Sequence, residues 1–263
     1  MCRGRACGTI LKCRSEKHME TGMYLIAGKR IAVQSLWPDV HDYCADYRTA
    51  DGAPDLTVTV TPQQIAFERE RSVREAAVEG HPPYPFTGAY LEELAVYRQI
   101  AEAMPEYDTL LMHGSLIAAD GQGYLFTAKS GTGKSTHTRL WRQLLGDRAV
   151  MVNDDKPLLH IGADGVTGYG TPYNGKHRLG CNMSVPLKAI CILTRAAENS
   201  IVRITKAEAY SMLLQQVYRP ADPVQMKKTL VLIDRLAEQT ALYRLGCNMD
   251  LEAAEVAYNG MKG

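Results

Sequence analysis

The sequence predicts an α/β fold, and three features of the chain support that prediction. Short apolar strands alternate with periodic helical segments from Tyr24 onward. A glycine-rich loop, AKSGTGKST at residues 128–136, lies between a strand (GYLFTA) and a helix (THTRLWRQLLG). A further apolar strand, AVMV, runs into the polar residues NDD at 153–155. This order is typical of a sheet whose binding site lies at the carboxyl ends of its strands.

The composition fits a globular protein and excludes several classes of partner. Of 263 residues, 46% are hydrophobic and 22% are charged, and the formal net charge is +1. Because so small a charge creates no global field, neither nucleic acid nor a membrane surface is an expected partner. No run of 18 apolar residues occurs, which argues against a transmembrane helix. Seven scattered cysteines form no disulfide framework, so a cytoplasmic location is expected.

Residues 1–22 are predicted to be a disordered tail, or sequence upstream of a natural start at Met19 or Met23. They carry positive charge but no apolar stretch of signal-peptide length. Their potential zinc ligands are Cys2, Cys7, Cys13 and His18. The spacing of these ligands matches no paired-cysteine site, so no metal is expected there.

Residues 23–105 are predicted to form a small N-terminal α/β subdomain. A hairpin turns at Gly28, the strand DLTVTV follows, and a helix starts at Thr61-Pro62. Residues 80–88 (GHPPYPFTG) are the best internal linker, because glycine and proline break the pattern there. A second periodic helix, AYLEELAVYRQIAEAM, precedes Pro105.

Residues 106–263 are predicted to form the main domain. DTLLMHGSLIA is interpreted as one strand, which returns through an Asp120-Gly121 turn into GYLFTA. A hairpin turning at Asp164-Gly165 and a buried strand, VPLKAICIL, follow the NDD run. Later helices are predicted to start after Thr205, Asp222 and Asp250.

The glycine-rich loop fits the Walker A pattern [A/G]-x-x-x-x-G-K-[S/T], with Ala128 in its first position. Gly131 and Gly133 let backbone N–H groups converge on phosphate oxygens, and Lys134 supplies a positive charge to the β- and γ-phosphates. The Ser135 hydroxyl is the expected Mg²⁺ ligand. The predicted nucleotide-binding residues are Ser130, Gly131, Thr132, Gly133, Lys134, Ser135 and Thr136.

Asp154 and Asp155 follow the strand AVMV, twenty residues after the loop lysine. If that strand is parallel and adjacent to the one before the loop, both carboxylates lie beside the loop. One would bind Mg²⁺ and the other would accept a proton from an attacking hydroxyl, in an order that the sequence leaves open. A solvated turn is the alternative interpretation.

A histidine such as His113, at the end of an apolar strand, is by itself more often a core residue than a catalytic one. Here HGS, a hairpin, SGTGKS and DD follow one another, and this block resembles the HPr kinase/phosphorylase family and, more distantly, phosphoenolpyruvate carboxykinase. The resemblance covers residues 108–195. It implies a P-loop nucleotide-binding core of the HPr kinase/PEP carboxykinase type, beside the small N-terminal α/β subdomain.

The resemblance also implies roles for residues. His113 would lie at the reacting phosphate and assist an aspartate, as in HPr kinase, or would bind metal, as in the carboxykinase. The implied catalytic residues are His113, Lys134, Asp154 and Asp155, and the implied metal ligands are Ser135, Asp154 and Asp155. The implied cofactors are ATP and Mg²⁺, with Mn²⁺ as a substitute.

The sequence departs from HPr kinase after the acidic pair, where the family segment EIRGLG is missing. GTPYNGKHRLG stands in its place, and its cations Lys176, His177 and Arg178 are either a clamp for phosphate or substrate, or a solvated basic loop. The segment by which HPr kinase grips its protein substrate is also not recognisable, so HPr is not an expected substrate.

The expected function is Mg²⁺-dependent transfer of the γ-phosphoryl group of ATP to a hydroxyl, on a serine of a peptide or protein or on a small alcohol. A nucleotide-binding regulator without turnover and a carboxykinase-like lyase are the alternatives. The identity of the acceptor, the use of GTP or pyrophosphate, the reverse reaction and homo-oligomer formation stay open.

Overall fold

The computed structural model describes residues 19–50, 52–175 and 177–263. The strands are β1 (Glu20–Ile26), β2 (Lys29–Ser35), β3 (Leu56–Thr59), β4 (Thr109–Leu111), β5 (Ser115–Ala119), β6 (Gln122–Thr127), β7 (Ala149–Asn153), β8 (Leu158–Ile161), β9 (Val166–Tyr169), β10 (Ser184–Arg195), β11 (Ser200–Arg203) and β12 (Ala241–Cys247). The helices are α1 (Asp39–Tyr43), α2 (Pro62–Glu79), α3 (Gly88–Ala103), α4 (Lys134–Leu145), α5 (Lys206–Gln216), α6 (Pro223–Gln239) and α7 (Leu251–Met261). The predicted mixed α/β class is confirmed.

Among the described residues, the larger sheet has nine strands, and β10 pairs with strands of both its antiparallel and its parallel region. The strand order is β4-β8-β9-β10-β6-β5-β7, with β12 paired to β10 and β11 paired to β12. The first residues of β10 pair antiparallel with β9. From Leu187 onward the strand pairs parallel with β6, and from Ala189 it also pairs parallel with β12. β10 therefore joins an antiparallel region to the region that carries the glycine-rich loop.

Alternate side chains of β10 belong to two apolar clusters, one on each face of the sheet. Ile190 and Ile192 belong to an apolar cluster that contains residues of α5 and α6. Ala189, Cys191 and Leu193 belong to a second cluster with residues of α4 and α7. Because successive side chains of a strand point to opposite faces, the sheet is covered by helices on both sides.

β7 was expected beside β6, but β5 lies between them. β5 pairs antiparallel with β6 on one side and with β7 on the other. The tight Asp120-Gly121 turn, with φ of 51° and 76°, folds β5 directly against β6. β5 therefore takes the place beside β6 that was predicted for β7. β7 still runs in the direction of β6, so the residues after both strands meet at one edge of the sheet.

The segment DTLLMHGSLIA is two strands, not the one predicted. β4 pairs with β8, whereas β5 pairs with β6 and β7. The strand is interrupted between β4 and β5 because backbone N–H groups there bond to carbonyls that are distant in sequence. The His113 N–H donates to the Gln216 carbonyl (2.7 Å) and the Gly114 N–H donates to the Asp155 carbonyl (3.0 Å). The break places His113 at the sheet edge.

The smaller sheet contains β1, β2 and β3 in that order. Its apolar cluster includes residues of α3 and also Leu111, Leu158 and Tyr173 from the larger part of the chain, so the two parts share packing. β1 begins at Glu20, inside the segment predicted to be a tail. Residues 20–22 pair with β2. Residues 1–18 of that tail, which include its cysteines and His18, lie outside the described residues.

Among the helices that the structure describes, none combines the length and the hydropathy that crossing a membrane requires.

Candidate active site

A cavity of about 740 Å³ lies at the edge of the larger sheet, next to the glycine-rich loop. Most of the predicted site residues line it: His113, Ser130, Gly131, Gly133, Lys134, Ser135, Thr136, Asp154, Asp155, His177 and Arg178. Thr132 instead lines a neighbouring cavity on the other side of the loop. Lys176 lies outside the described residues.

The glycine-rich loop leads into the N-terminus of α4. Gly131 and Gly133 have φ of 73° and 122°, in the region that favours glycine. A Cβ at either position would meet nothing within 4 Å, so backbone conformation and not space explains these glycines. Helix N-termini carry N–H groups without intrahelical partners and the positive end of the helix dipole, so the first turn of α4 is suited to an anion. Arg195 braces the loop by donating to the Gly131 carbonyl (2.5 Å).

Lys134 is buried in the wall of the cavity, with 8% of its surface exposed. Its Nζ donates to the Ala128 carbonyl at 3.1 Å. Burial lowers the pKa of Lys134, while the carboxylates of Asp155 and Asp154 act in the opposite direction. The Lys134 amino group is therefore poorly solvated and lies beside the start of α4. Its positive charge would stabilise an anion bound there.

Asp154 is held by Ser115, which was not among the predicted site residues. Its Oδ1 accepts a hydrogen bond from the Ser115 hydroxyl at 2.8 Å, and both residues are buried. Gly175 approaches the other carboxylate oxygen, since a Cβ there would lie 3.2 Å from Oδ2. Ser115 is the last residue of the HGS motif, so its position in that motif was the available signal.

Asn153 fixes the turn that carries the two aspartates. Its side-chain carbonyl accepts the N–H groups of Asp155 (2.9 Å) and Lys156 (2.7 Å), and its amide donates to the Thr171 hydroxyl (2.9 Å). The turn geometry anticipated for this run is present, but Asn153 is fully buried and Asp154 is 7% exposed. The run is thus a packed turn and not a solvated one.

Asp155 lies between the side chains of Lys156 and His113. The Lys156 Nζ donates to its Oδ2 at 2.8 Å, and the His113 Nε2 lies 3.5 Å from its Oδ1. The Asp155 side chain is 27% exposed, so it faces the cavity more openly than Asp154 does.

His113 is oriented by Gln216, at the C-terminal end of α5. The ring Nδ1 is 2.9 Å from the Gln216 Oε1, so Nδ1 carries a proton that it donates to this oxygen, and Nε2 lies 3.5 Å from the Asp155 Oδ1. Burial lowers the pKa of His113, Lys134 lowers it further, and Asp155 opposes both. Gln216 was not predicted, because no local pattern connects positions so distant in sequence.

The wall opposite the loop comes from α1, α3 and the segment after β9. It is formed by Tyr43, Tyr90, Glu93, Leu94, Tyr97 and Tyr173. Burial raises the pKa of Glu93 to about 7, and Asp39 adds to the shift while Arg178 reduces it. None of these residues was predicted. Residues 24–105 offered no usable resemblance, the spacing on α3 is that of a core face, and only the cations of the segment that contains Tyr173 were considered.

Arg178 reaches this wall. Its guanidinium lies 4.4 Å from the centroid of the Tyr43 ring and donates to the Tyr43 carbonyl at 3.1 Å. His177 and Arg178 are exposed at the cavity mouth. The two roles predicted for these cations, a clamp for phosphate or substrate and a solvated basic loop, stay predictions.

A second cavity of about 480 Å³ lies on the other side of the loop, between α4 and the residues after β10 and β12. His137 lines it and is 2% exposed. Its Nε2 accepts a hydrogen bond from the Trp141 indole at 3.1 Å, whereas its buried Nδ1 has no hydrogen-bond partner among the described residues. Because Nε2 is an acceptor, Nδ1 carries the proton of the neutral ring and is a buried donor without a partner among the described residues.

The described residues contain no group of three or more His, Cys, Asp or Glu side chains arranged to hold a metal. The oxygen donors of Ser135, Asp154 and Asp155 nevertheless meet at the same cavity. Mg²⁺ is usually bound by one or two carboxylates together with phosphate oxygens and water, so this donor set fits a magnesium ion that arrives with a nucleotide.

Comparison with known proteins gives a match to a family model and likenesses among solved structures. Among solved structures, the HPr(Ser) kinase/phosphatase from Coxiella burnetii is similar at 15% identity, with a TM-score of 0.27, over 48% of this chain and 96% of that chain. A likeness at that TM-score supports no argument. No curated protein matches the chain.

A family model described as "SynChlorMet cassette protein ScmC" matches residues 90–229, more than half of the chain. This family is different from the HPr kinase/phosphorylase family that the motifs resemble. The matched range includes His113, the glycine-rich loop, both aspartates and the cavity-lining part of α3. The chain belongs to the ScmC family.

Proposed function

We propose that the protein is an Mg²⁺-dependent phosphotransferase that moves the γ-phosphoryl group of ATP to a hydroxyl. The observation that carries this proposal is the single cavity lined by Lys134, Asp154, Asp155 and His113. A phosphate-binding helix start, a carboxylate pair and an oriented histidine are the parts that phosphoryl transfer needs, because its catalysis is mostly positioning and electrostatic stabilisation.

The loop and Lys134 hold the phosphates in this proposal. N–H groups of the first turn of α4 donate to phosphate oxygens, and the Lys134 ammonium binds the β- and γ-phosphates. When nucleotide displaces the Ala128 carbonyl as the partner of Nζ, the lysine exchanges a neutral acceptor for a charged one. The negative phosphates therefore favour the protonated form of a residue whose pKa is lowered by burial.

Asp155 is the proposed proton acceptor. The hydroxyl oxygen of the acceptor forms a bond to the γ-phosphorus, the bond from that phosphorus to the β–γ bridging oxygen breaks, and ADP leaves. The hydroxyl proton passes to the Asp155 carboxylate, which is more open to the cavity than Asp154. The His113 Nε2 lies 3.5 Å from the Asp155 Oδ1 and would share that proton when the ring is neutral.

Asp154 and Ser135 are the proposed magnesium ligands. The bound ion would neutralise charge on the phosphates. The Ser115 hydroxyl fixes one oxygen of Asp154, which leaves the other oxygen for the metal. Ser115 is thus a positioning residue that acts through Asp154.

The base and ribose of ATP are proposed to lie in the second cavity. It adjoins the loop through Gly131, Thr132 and Gly133, so a nucleotide bound across the loop would reach both cavities. The buried Nδ1–H of His137 would find an acceptor there. Cys247 and Met249 give the cavity an apolar portion suited to a planar base.

A transfer assay tests the proposed function. ATP labelled at the γ-phosphate is incubated with Mg²⁺, the protein, and cell extract divided into a protein and peptide fraction and a metabolite fraction. Label should enter one fraction with the wild type and with Lys188→Ala, a surface control, and should be absent with Lys134→Ala. If nucleotide binds but neither fraction becomes labelled, the protein is a nucleotide-binding regulator and the phosphotransferase proposal fails.

A further inference from the structure

Lys156 directly follows the two aspartates, and both polar groups of its backbone are bonded. Its N–H donates to the Asn153 Oδ1 at 2.7 Å, and its carbonyl accepts the Thr171 hydroxyl at 2.9 Å. These two bonds fix the backbone of the turn and therefore the direction in which the Lys156 side chain leaves it. That side chain lines the large cavity.

The Lys156 ammonium has two neighbours that hold it in place. Its Nζ donates to the Asp155 Oδ2 at 2.8 Å and lies 5.1 Å from the centroid of the Tyr97 ring. A cation within about 6 Å of a ring centroid is attracted by the ring face. Tyr97 is only 8% exposed, and its ring packs 4.8 Å from that of Tyr173. The ammonium is therefore held between a carboxylate and a packed ring.

The ion pair of Lys156 and Asp155 is too exposed to matter mainly for stability. The two side chains are 33% and 27% exposed. Ion pairs that solvent reaches contribute little to the free energy of unfolding. Adjacent residues of a regular helix or strand do not face each other, so this contact exists because of the turn that Asn153 fixes.

The ion pair also distinguishes the two oxygens of Asp155. Oδ2 is occupied by the Lys156 ammonium, whereas Oδ1 lies 3.5 Å from the His113 Nε2. Asp154 shows the same pattern, because the Ser115 hydroxyl occupies its Oδ1. Each carboxylate of the pair thus has one oxygen engaged by a neighbour and one oxygen left for the reaction.

Resting on the proposed function, we propose that Lys156 is a positioning residue that orients Asp155 for proton acceptance, with the Tyr97 ring as its support. The ammonium holds Oδ2, so Oδ1 faces the acceptor hydroxyl and His113. Without the ammonium the Asp155 carboxylate can rotate, and Oδ1 is in place for only part of the time. In this role Lys156 acts on the chemical step and not on nucleotide binding.

Substitution of Lys156 tests the inference, with the extract fraction that accepts label from γ-labelled ATP as the acceptor. At a fixed amount of that fraction, Lys156→Met should lower the apparent kcat about ten- to a hundredfold, because misplacing a reacting group by about 1 Å has an effect of that size. The KM for ATP and the affinity for an Mg²⁺-bound non-hydrolysable ATP analogue should not change. Lys156→Arg should keep most of the wild-type kcat, because a guanidinium also bonds carboxylates and stacks on rings.

Two substitutions of Tyr97 test the support. Tyr97→Phe retains the ring face and should keep the wild-type kcat. Tyr97→Leu removes the ring and should lower kcat about two- to fivefold, the fold-change that corresponds to one cation–π contact at a partly exposed site. Rates are measured well below the melting temperature of each variant, because Tyr97 also packs against Tyr173.

Lys227→Met, at an exposed lysine of α6, is the matched control. It should change neither kcat nor the melting temperature. Lys156→Met should also keep the wild-type melting temperature, because its ion pair is partly exposed.

The outcomes separate this inference from the proposed function. If the wild type transfers no label, the proposed function fails and the inference falls with it. If the wild type transfers label, an unchanged kcat in Lys156→Met overturns the inference alone. So does a weaker affinity of that variant for the ATP analogue, which would make Lys156 a phosphate ligand, or a lower melting temperature, which would make its role structural. Equal losses of kcat in Lys156→Met and Lys156→Arg, or equal kcat in Tyr97→Leu and Tyr97→Phe, also overturn it.

Discussion

At the residue scale, hydrogen-bond partners distinguish the two adjacent aspartates. Asp154 is buried and accepts the Ser115 hydroxyl, whereas Asp155 is partly open between Lys156 and His113. The same dipeptide therefore presents one carboxylate that is rigidly oriented and one that can meet an acceptor. This difference is the basis for assigning metal binding to Asp154 and proton acceptance to Asp155.

Replacing each aspartate by asparagine tests that assignment. Asp155→Asn should lower the single-turnover transfer rate by about 10²–10⁴, since the amide cannot accept the proton. It should leave Mg²⁺-dependent nucleotide binding within about twofold, a change of less than about 0.5 kcal/mol. Asp154→Asn should weaken nucleotide binding in the presence of Mg²⁺ before any effect on chemistry. Rapid-quench transfer and titration calorimetry give the two readings.

The exposed hairpin residue Asp164 provides the control, because Asp164→Asn should change neither reading. The reverse pattern, with Asp155→Asn losing metal-dependent binding and Asp154→Asn losing only rate, would exchange the two roles. Equal losses of both quantities in both variants would show that the carboxylates act as one unit.

At the element scale, α4 carries a buried histidine, His137, that lowers the stability of the folded protein at low pH. Burial lowers the pKa of His137 to about 4. Its ordinary value is about 6.5, so between these pH values the unfolded chain binds a proton that the folded chain does not. The stability contributed by neutral His137 is therefore complete above pH 6.5 and declines as the pH falls to about 4.

The free energy of unfolding should thus fall by as much as about 3 kcal/mol across this window because of His137 alone. His137→Gln should be less stable at pH 7 but should show a flatter dependence on pH, because its side-chain carbonyl accepts from Trp141 and does not titrate. Denaturant unfolding at several pH values measures the slopes. His113 and His41 contribute in the same direction in both proteins, so the difference isolates His137.

His177→Gln, at an exposed position, is the control for that series and should keep the wild-type slope. If His137→Gln and the wild type have parallel curves between pH 6.5 and 4, His137 is not held neutral by burial.

Elements with local signals could be predicted, and the break at His113 could not. The turn at Asp120-Gly121 and the helix starts after Thr205 and Asp222 are where their sequences indicated, because the residues that form each cap or turn are neighbours in the chain. The interruption after β4 depends on backbone bonds to Gln216 and Asp155. The local sequence of an apolar run contains no information about such distant hydrogen-bond partners.

At the scale of the whole molecule, the cavity joins parts of the chain that differ in how well they could be predicted. The loop and the carboxylates stand in a motif whose spacing is informative, and the structure brings most of them to one cavity. The opposite wall comes from α3, where Glu93 and Tyr97 occupy an ordinary periodic helix. Their role depends on the packing of the small sheet against Leu111, Leu158 and Tyr173, which no local pattern records.

Binding of an Mg²⁺-loaded, non-hydrolysable ATP analogue tests the central claim most directly, because it needs no knowledge of the acceptor. Titration calorimetry should give saturable binding to the wild type and to Lys188→Ala. Lys134→Ala should bind about ten- to a hundredfold more weakly, the loss expected for a hydrogen bond to a charged group. An affinity of Lys134→Ala equal to that of the wild type, or no binding to the wild type, would contradict the account.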